Sequence, residues 1–287
     1  MHSPRDLRRR IKSVSGTAQI TKAMQMVAAS KMRKAQQAAT QSQAFARLLY
    51  RIQLSATSHL RDINDPLLAV RPVRKRAVIL VAADKGLCGA LNTNVFRLAS
   101  HFDQASTVFI TAGRKAAQFI ARTKRQLIAE FPYGDSPTFA EARAIAVFAR
   151  DLFVKGEVDE VKVVATRFVN TLVQEPIVIE YLPVGEIKGM TVPGVESIDL
   201  EADTSEIVFE PGPEAVLNYL LGTYLNVYLA VVLLNAKASE QSARMVSMKN
   251  ATDSAEDLIK ALRLEYNKLR QGNITKELLE IAGGQSE

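Results

Sequence analysis

The chain has 287 residues, 47% of them apolar, with one cysteine and a formal net charge of +7. That is enough apolar material for a sizeable core in one or two domains. The lone Cys88 excludes an internal disulfide, and His2, His59 and His101 are too scattered to form a ligand-spaced metal cluster with it. Charge is uneven: residues 1–61 carry twelve Lys/Arg against Asp6 alone, a local net of +11, while residues 62–287 net −4. An acidic partner is therefore to be sought along the first segment.

Met1 leads within a few residues into a helical pattern, with no apolar signal core and no long Ser/Arg-rich transit stretch, so no cleaved targeting peptide is expected. No proline and only Gly16 occur between residues 5 and 61. Proline breaks helix interiors through a lost N–H and a steric clash, so such a gap permits one very long helix. Alternating steps of four and three from Leu7 pass through Ile11, Val14, Ala18, Thr21, Gln25, Ala28, Met32, Ala35 and Ala39 and continue to Leu60. Twelve of these sixteen positions are apolar, and a 3.5-residue period sustained this long predicts a left-handed coiled coil.

Residues 76–184 change character. RAVILVAA at 76–83 and TVFIT at 107–111 read as buried strands, and 159–169 and 176–184 follow the same style. Helical patterns near 90–102, 114–123 and 139–154 alternate with them, which predicts βαβ units and a mostly parallel sheet. The loop DKGLCG at 84–89 follows the first strand, as a phosphate-binding loop would. It matches neither the GxxxxGK[ST] nor the GxGxxG pattern, and reads as a tight turn whose glycines supply positive φ. Cys88 reads as a small packed residue, because no His or carboxylate is placed by sequence to activate it. No paired catalytic constellation is found. The stretch 185–211 is turn-rich and acidic and is expected to wrap the domain surface.

Pro211-Gly-Pro213 marks entry to a second long helix, free of proline from 214 to 281 and stopped by Gly283-Gly284. Its stripe from Leu217 through Leu220, Tyr224, Val227, Val231, Leu234, Ala238, Gln241, Met245, Met248, Thr252, Ala255, Ile259, Leu262, Tyr266 and Leu269 is apolar at fourteen of sixteen positions. The first stripe is thin and Ala-rich and the second bulky, so the two fit each other. Helices of roughly 80 and 100 Å cannot stand alone in water, and the nearest partner for each is the other, running antiparallel. Residues 215–236 lack any charge, a length that could span a bilayer. Asn218, Asn226 and Asn235 argue instead for burial in protein. The fold expected is a long antiparallel left-handed coiled coil of the N- and C-terminal helices, residues 1–61 and 212–287. A Rossmann-like α/β domain is inserted at 76–195.

RRIKSVSGTAQITKAMQMVAASKMRKAQ at 9–36, DKGLCGALN at 84–92 and the run from ASEQSARMVSMKN to YNKLRQGNITKELLEIAG at 238–283 closely resemble signatures of the gamma subunit family of F-type ATP synthases. The resemblance spans essentially the whole chain. It implies a non-catalytic central rotor shaft without cofactor or metal, turned by a c-ring driven by proton or sodium flow. The shaft would carry rotation to a catalytic ring of alpha and beta subunits and bind an epsilon subunit. It implies further that Lys22, Lys31, Arg33 and Lys34, with Arg244 and Lys249 at a similar level, face an acidic lever of beta, with Met24 packed near it. Arg270 and Gln271 match positions that hydrogen-bond a beta loop. Residues 274–281, with Leu278, Leu279 and Ile281, would turn in an apolar sleeve, and Phe209 and Glu210 match the foot that meets the c-ring. The absence of a cysteine-pair insertion and of a transit segment implies a bacterial complex on the cytoplasmic face of the cell membrane. The alternatives are a basic coiled-coil nucleic-acid-binding or scaffold protein, suggested by the basic first helix, and a nucleotide enzyme built on DKGLCG.

Overall fold

The computed structural model describes residues 3–58, 65–184 and 212–283, the side chains at 42–58, 213–215, 217–218, 276–277 and 280–283 excepted. The expected wrapping stretch 185–211, with Phe209 and Glu210, lies outside the described residues. In chain order the elements are α1 (Pro4–Ser58), a 3-10 turn (Pro66–Leu68), β1 (Arg76–Val81), α2 (Leu91–Ser100), β2 (Thr107–Ala112), α3 (Arg114–Arg122), β3 (Gln126–Phe131), α4 (Phe139–Val154), β4 (Glu160–Phe168), β5 (Gln174–Leu182) and α5 (Pro213–Gly283). The helices α1 and α5 run for 55 and 71 residues. The chain divides into two compact units, Met1–Ala28 with Arg244–Glu287, and Ala29–Ala243.

The first unit is a pair of helices. Leu7, Ala18, Thr21 and Ala28 of α1 and Met248, Thr252, Ala255 and Leu262 of α5 are buried in it, each on the predicted 3.5-residue stripe, and Arg244 of α5 is buried off the stripe. Two side-chain contacts give the direction. Arg8 Nη2 donates to Tyr266 Oη at 2.6 Å, with the guanidinium over the ring, and the Thr21 and Thr252 hydroxyls meet at 2.7 Å. Position rises along α1 as it falls along α5, so the pair is antiparallel.

The threonine pair closes without an orphan. Thr21 Oγ1 also lies 3.1 Å from Ala18 O, and Thr252 Oγ1 lies 2.9 Å from Met248 O. Whichever hydroxyl donates across the pair, the other has a carbonyl of its own helix to donate to. Thr252→Val strips one partner and should weaken this unit by about 1–2 kcal/mol. The double variant Thr21→Val/Thr252→Val should cost little more than either single one, because the bond across the pair is already lost in each and the remaining threonine keeps its own helix carbonyl. Urea unfolding of the four-member cycle reads the coupling.

The second unit is a doubly wound α/β domain. Its sheet has the order β3-β2-β1-β4-β5. Strands β1, β2, β3 and β4 pair parallel, and β5 joins antiparallel to β4 through a hairpin. Alternate residues face opposite layers. Ala77, Ile79, Val81, Ile110 and Val163 pack with Ala142, Ile145, Ala149 and Phe153 of α4 and with α5. Val78, Leu80, Phe109 and Val164 pack with Val95 and Ala99 of α2 and with Ala116, Phe119 and Ile120 of α3.

The start of α5 is therefore a core element of the α/β domain. Leu221, Leu229, Val231 and Leu233 are fully buried in the same core as β1. This stretch is long and apolar enough to cross a bilayer by length and composition, yet its side chains are used inside the protein. Two of the polar groups along it find partners inside the protein: Asn235 Nδ2 donates to Val231 O at 2.9 Å, and Leu225 O accepts from Tyr181 Oη at 2.9 Å. Burial raises the Tyr181 and Tyr228 hydroxyl pKa values well above the usual phenol range.

Candidate functional site

In open α/β sheets, ligands bind outside the carboxyl ends of the strands where the strand order reverses, here between β1 and β4. DKGLCG lies at that place, and Asp84 and Cys88 within it are engaged by the protein's own groups. Asp84 Oδ1 accepts from the Arg114 backbone N–H at 2.9 Å, capping α3. Asn92 Oδ1 accepts from Ala83 N at 3.1 Å, while its Nδ2 donates to Cys88 Sγ at 3.4 Å. Cys88 is buried with Ala83 and Leu91, and Ala243 of α5 packs on them. The left-handed residues are Leu87 at φ 63° and Gly89 at φ 59°. Gly89 behaves as expected of a turn glycine, whereas the second positive φ falls on leucine rather than on Gly86.

What fills the crevice is the protein's own helix. Ser242 Oγ donates to Thr171 O, in the hairpin after β4, at 2.8 Å. Lys237 Nζ sits 5.1 Å from the centre of the Tyr133 ring, whose hydroxyl donates to Ala82 O at 3.0 Å. Residues 237–242 of α5 thus stand where a nucleotide would bind in a related sheet. Burial, with the nearby Glu240, Asp84 and Glu141 charges, pushes the Tyr133 hydroxyl pKa well up, so it remains a neutral donor. The arrangement grips a helix of the chain itself.

The remaining candidate residues lie on the two long helices. Lys22, Arg33, Lys34, Lys249, Arg270 and Gln271 are exposed, and Met24 is half-buried. Lys31 differs from the expected free charge: its Nζ lies 2.5 Å from Asp135 Oδ2 within the α/β unit. Arg244 differs as well, being 8% exposed, so it is packed rather than standing at a rim. In the helix-pair unit, sequence reasoning missed Ile20 and Met26 of α1 and Leu264 of α5, which lie off the stripe and are largely exposed. Leu278 and Leu279, expected as smooth apolar surface, are exposed too. These apolar side chains stand outside the buried seam of the helix pair. The nucleic-acid alternative fares poorly, because the apolar side of the basic helix is already taken by α5 and Lys31 by Asp135.

Helices paired antiparallel over residues 1–28 and 244–287, with an α/β domain between them in sequence, define a stalk-like protein. The family profile described as ATP synthase matches residues 3–286. The ATP synthase gamma chain of Opitutus terrae is 45% identical over 290 residues, covering 99% of this chain and 98% of the relative. That of Methylacidiphilum infernorum is 39% identical, covering 99% of each. Among solved structures, a chain of the Euglena gracilis mitochondrial ATP synthase, described as OSCP/F1/c-ring in rotational state 3, matches with a TM-score of 0.68 at 19% identity. That match covers 99% of this chain and 93% of the other. A chain of the Tetrahymena thermophila central stalk and c-ring matches with a TM-score of 0.59 at 24% identity, covering 81% and 99%. The chain belongs to the ATP synthase gamma chain family.

Proposed function

We propose that this protein is the central shaft of an F-type ATP synthase, carrying rotation of a c-ring to the catalytic ring of alpha and beta subunits. The observation that carries the reading is the antiparallel helix pair with its own seam filled and apolar residues left on its outside. Such a pair is stiff along its length, and its surface differs from side to side. Identical catalytic subunits arranged around it would each meet a different face. Differential contact free energy then biases each among its conformational states, the only way a non-catalytic rod can drive chemistry elsewhere. Catalysis belongs to the surrounding subunits.

The contacts assigned here are Met24, Lys22 and Arg33 against an acidic segment of beta, and Arg270 and Gln271 against a beta loop. Exposed charges of this kind steer and register more than they bind. Lys31 and Arg244 support these contacts indirectly, since one is ion-paired and the other packed. Phe209 and Glu210 are proposed to meet the c-ring, and the α/β domain to hold an epsilon subunit, in a bacterial complex on the cytoplasmic face of the membrane. Co-purification of the chain with alpha, beta and epsilon subunits tests the assembly. Met24→Lys tests the contact: it adds a charge at a half-buried position and should lower ion pumping per ATP hydrolysed several-fold while the complex still assembles. Full coupling in that variant would remove Met24 from the interface.

A further inference from the structure

We propose that Asp135 is a positioning residue that clamps the β3–α4 loop to both long helices through Lys31 of α1 and Lys237 of α5. The inference rests on the rotor reading for its purpose and on geometry for its existence. Asp135 Oδ2 lies 2.5 Å from Lys31 Nζ, and Oδ1 lies 3.5 Å from Lys237 Nζ. Lys237 in turn lies 3.0 Å from Glu240 Oε2 and over the Tyr133 ring. Three segments about a hundred residues apart in sequence are thus joined by one carboxylate.

The burial of the cluster indicates that it does more than stabilise. The side chains of Lys237 and Glu240 are 1% and 3% exposed, while Asp135 is 50% exposed. Withdrawing a lysine and a glutamate from water is costly, and apolar residues of similar volume often serve a core at least as well. What a paired charge provides that an apolar contact does not is direction: charge-assisted hydrogen bonds are short and angular and resist sliding. Apolar helix surfaces slide past one another at little cost. A domain that must turn with its helices under load requires a contact that does not creep. The Lys31 hydrogen bond, aided by Lys237, holds the Asp135 carboxyl below the usual aspartate range despite partial burial, so the clamp is charged at neutral pH. Nearby, Glu141 holds the same loop, accepting from the backbone N–H groups of Gly134 at 3.0 Å and Thr138 at 2.6 Å, so the loop that carries Asp135 is itself firm.

The test uses the full chain and the assembled complex with Asp135→Asn, which keeps shape and removes charge, and Asp135→Glu, which restores charge. In the isolated chain, Asp135→Asn should raise amide exchange in the β3–α4 loop by roughly 10- to 100-fold, the loss of a charged hydrogen bond. The β1 and β2 strands should be unaffected. In the complex, the same variant should lower ion pumping per ATP hydrolysed several-fold while hydrolysis persists, and Asp135→Glu should restore most of it. Unchanged loop exchange in Asp135→Asn would overturn the clamp whether or not the chain is a rotor. Faster loop exchange with unaltered coupling would overturn its role in transmitting rotation. A wild-type chain that fails to support pumping would instead count against the rotor reading, and leaves the exchange result to decide the clamp.

Discussion

Gly113→Ala is expected to destabilise the α/β domain by about 3–5 kcal/mol, a large share of what holds an ordinary domain together. Gly113 ends β2 and caps α3 with φ 95° and ψ 144°, in a region that side chains rarely enter. A Cβ there would stand 2.1 Å from Ala82 O, which is backbone and cannot swing aside. The ends of β1 and β2 would have to part. That strains the Ala82 N–H to Ala112 O bond at 3.0 Å and the Tyr133 hydroxyl bond to Ala82 O at 3.0 Å. Each bond contributes about 1 kcal/mol, and the backbone conformation adds about 1–3 kcal/mol. The contrast is Gly86→Ala, where a Cβ meets nothing within 4 Å and φ is not positive, so its effect should stay within about 0.5 kcal/mol. Thermal unfolding followed by circular dichroism separates the two. Equal melting temperatures would mean that the strand ends are loose enough to absorb a methyl group.

Much of this architecture could be read from the sequence, for reasons that can be named. Absence of proline, with glycine rare, located both long helices to within a few residues, because little else interrupts a helix. The stripe from Leu7 to Ala39 is buried or half-buried throughout, as a 3.5-residue repeat facing a partner must be. The range expected for α4 matches Phe139–Val154, whose start is fixed by a capping box of Thr138, just ahead of the helix, and Glu141 in its first turn. The strand β3 escaped notice: QLIAEF is an edge strand with partly exposed residues on both faces, so it lacks both the apolar run and the clean alternation that mark a strand. Nor did the 3.5-residue stripe reveal that α5 is buried on nearly all sides from Leu220 to Ser242, since a stripe describes one seam and this stretch also fills a domain core. Least legible was the polar site. Lys237 and Glu240 three residues apart look like any solvated helix pair, and only the fold brings Asp135 and Tyr133 over them.

Leu262→Ala and Leu264→Ala should part company, and the way they do so separates what holds the helices together from what others hold. Leu262 is 4% exposed on the seam of the helix pair, whereas Leu264, two residues on, is 72% exposed. Removing the Leu262 side chain should cost the helix-pair unit about 2–5 kcal/mol, through lost burial and the cavity left behind. Few other large apolar side chains are buried in that unit; Leu7 and Met248 are among them. The loss should therefore appear as faster amide exchange along Pro4–Ala28 and Arg244–Gly283, with the α/β core of residues 29–243 still protected. Leu264→Ala should change the isolated chain by no more than about 0.5 kcal/mol. Its cost should emerge in the assembly, where covering a leucine is worth about 1.5–3 kcal/mol, as weaker retention of the chain by the alpha and beta subunits proposed to enclose it. If both variants instead weaken only the assembly, the seam would carry little of the pairing, and the helix pair would be held by its surroundings rather than by itself. If Leu264→Ala is silent in the assembly as well, the enclosing surface must lie on another side of α5, and Ile20 and Met26 of α1 become the residues to replace next.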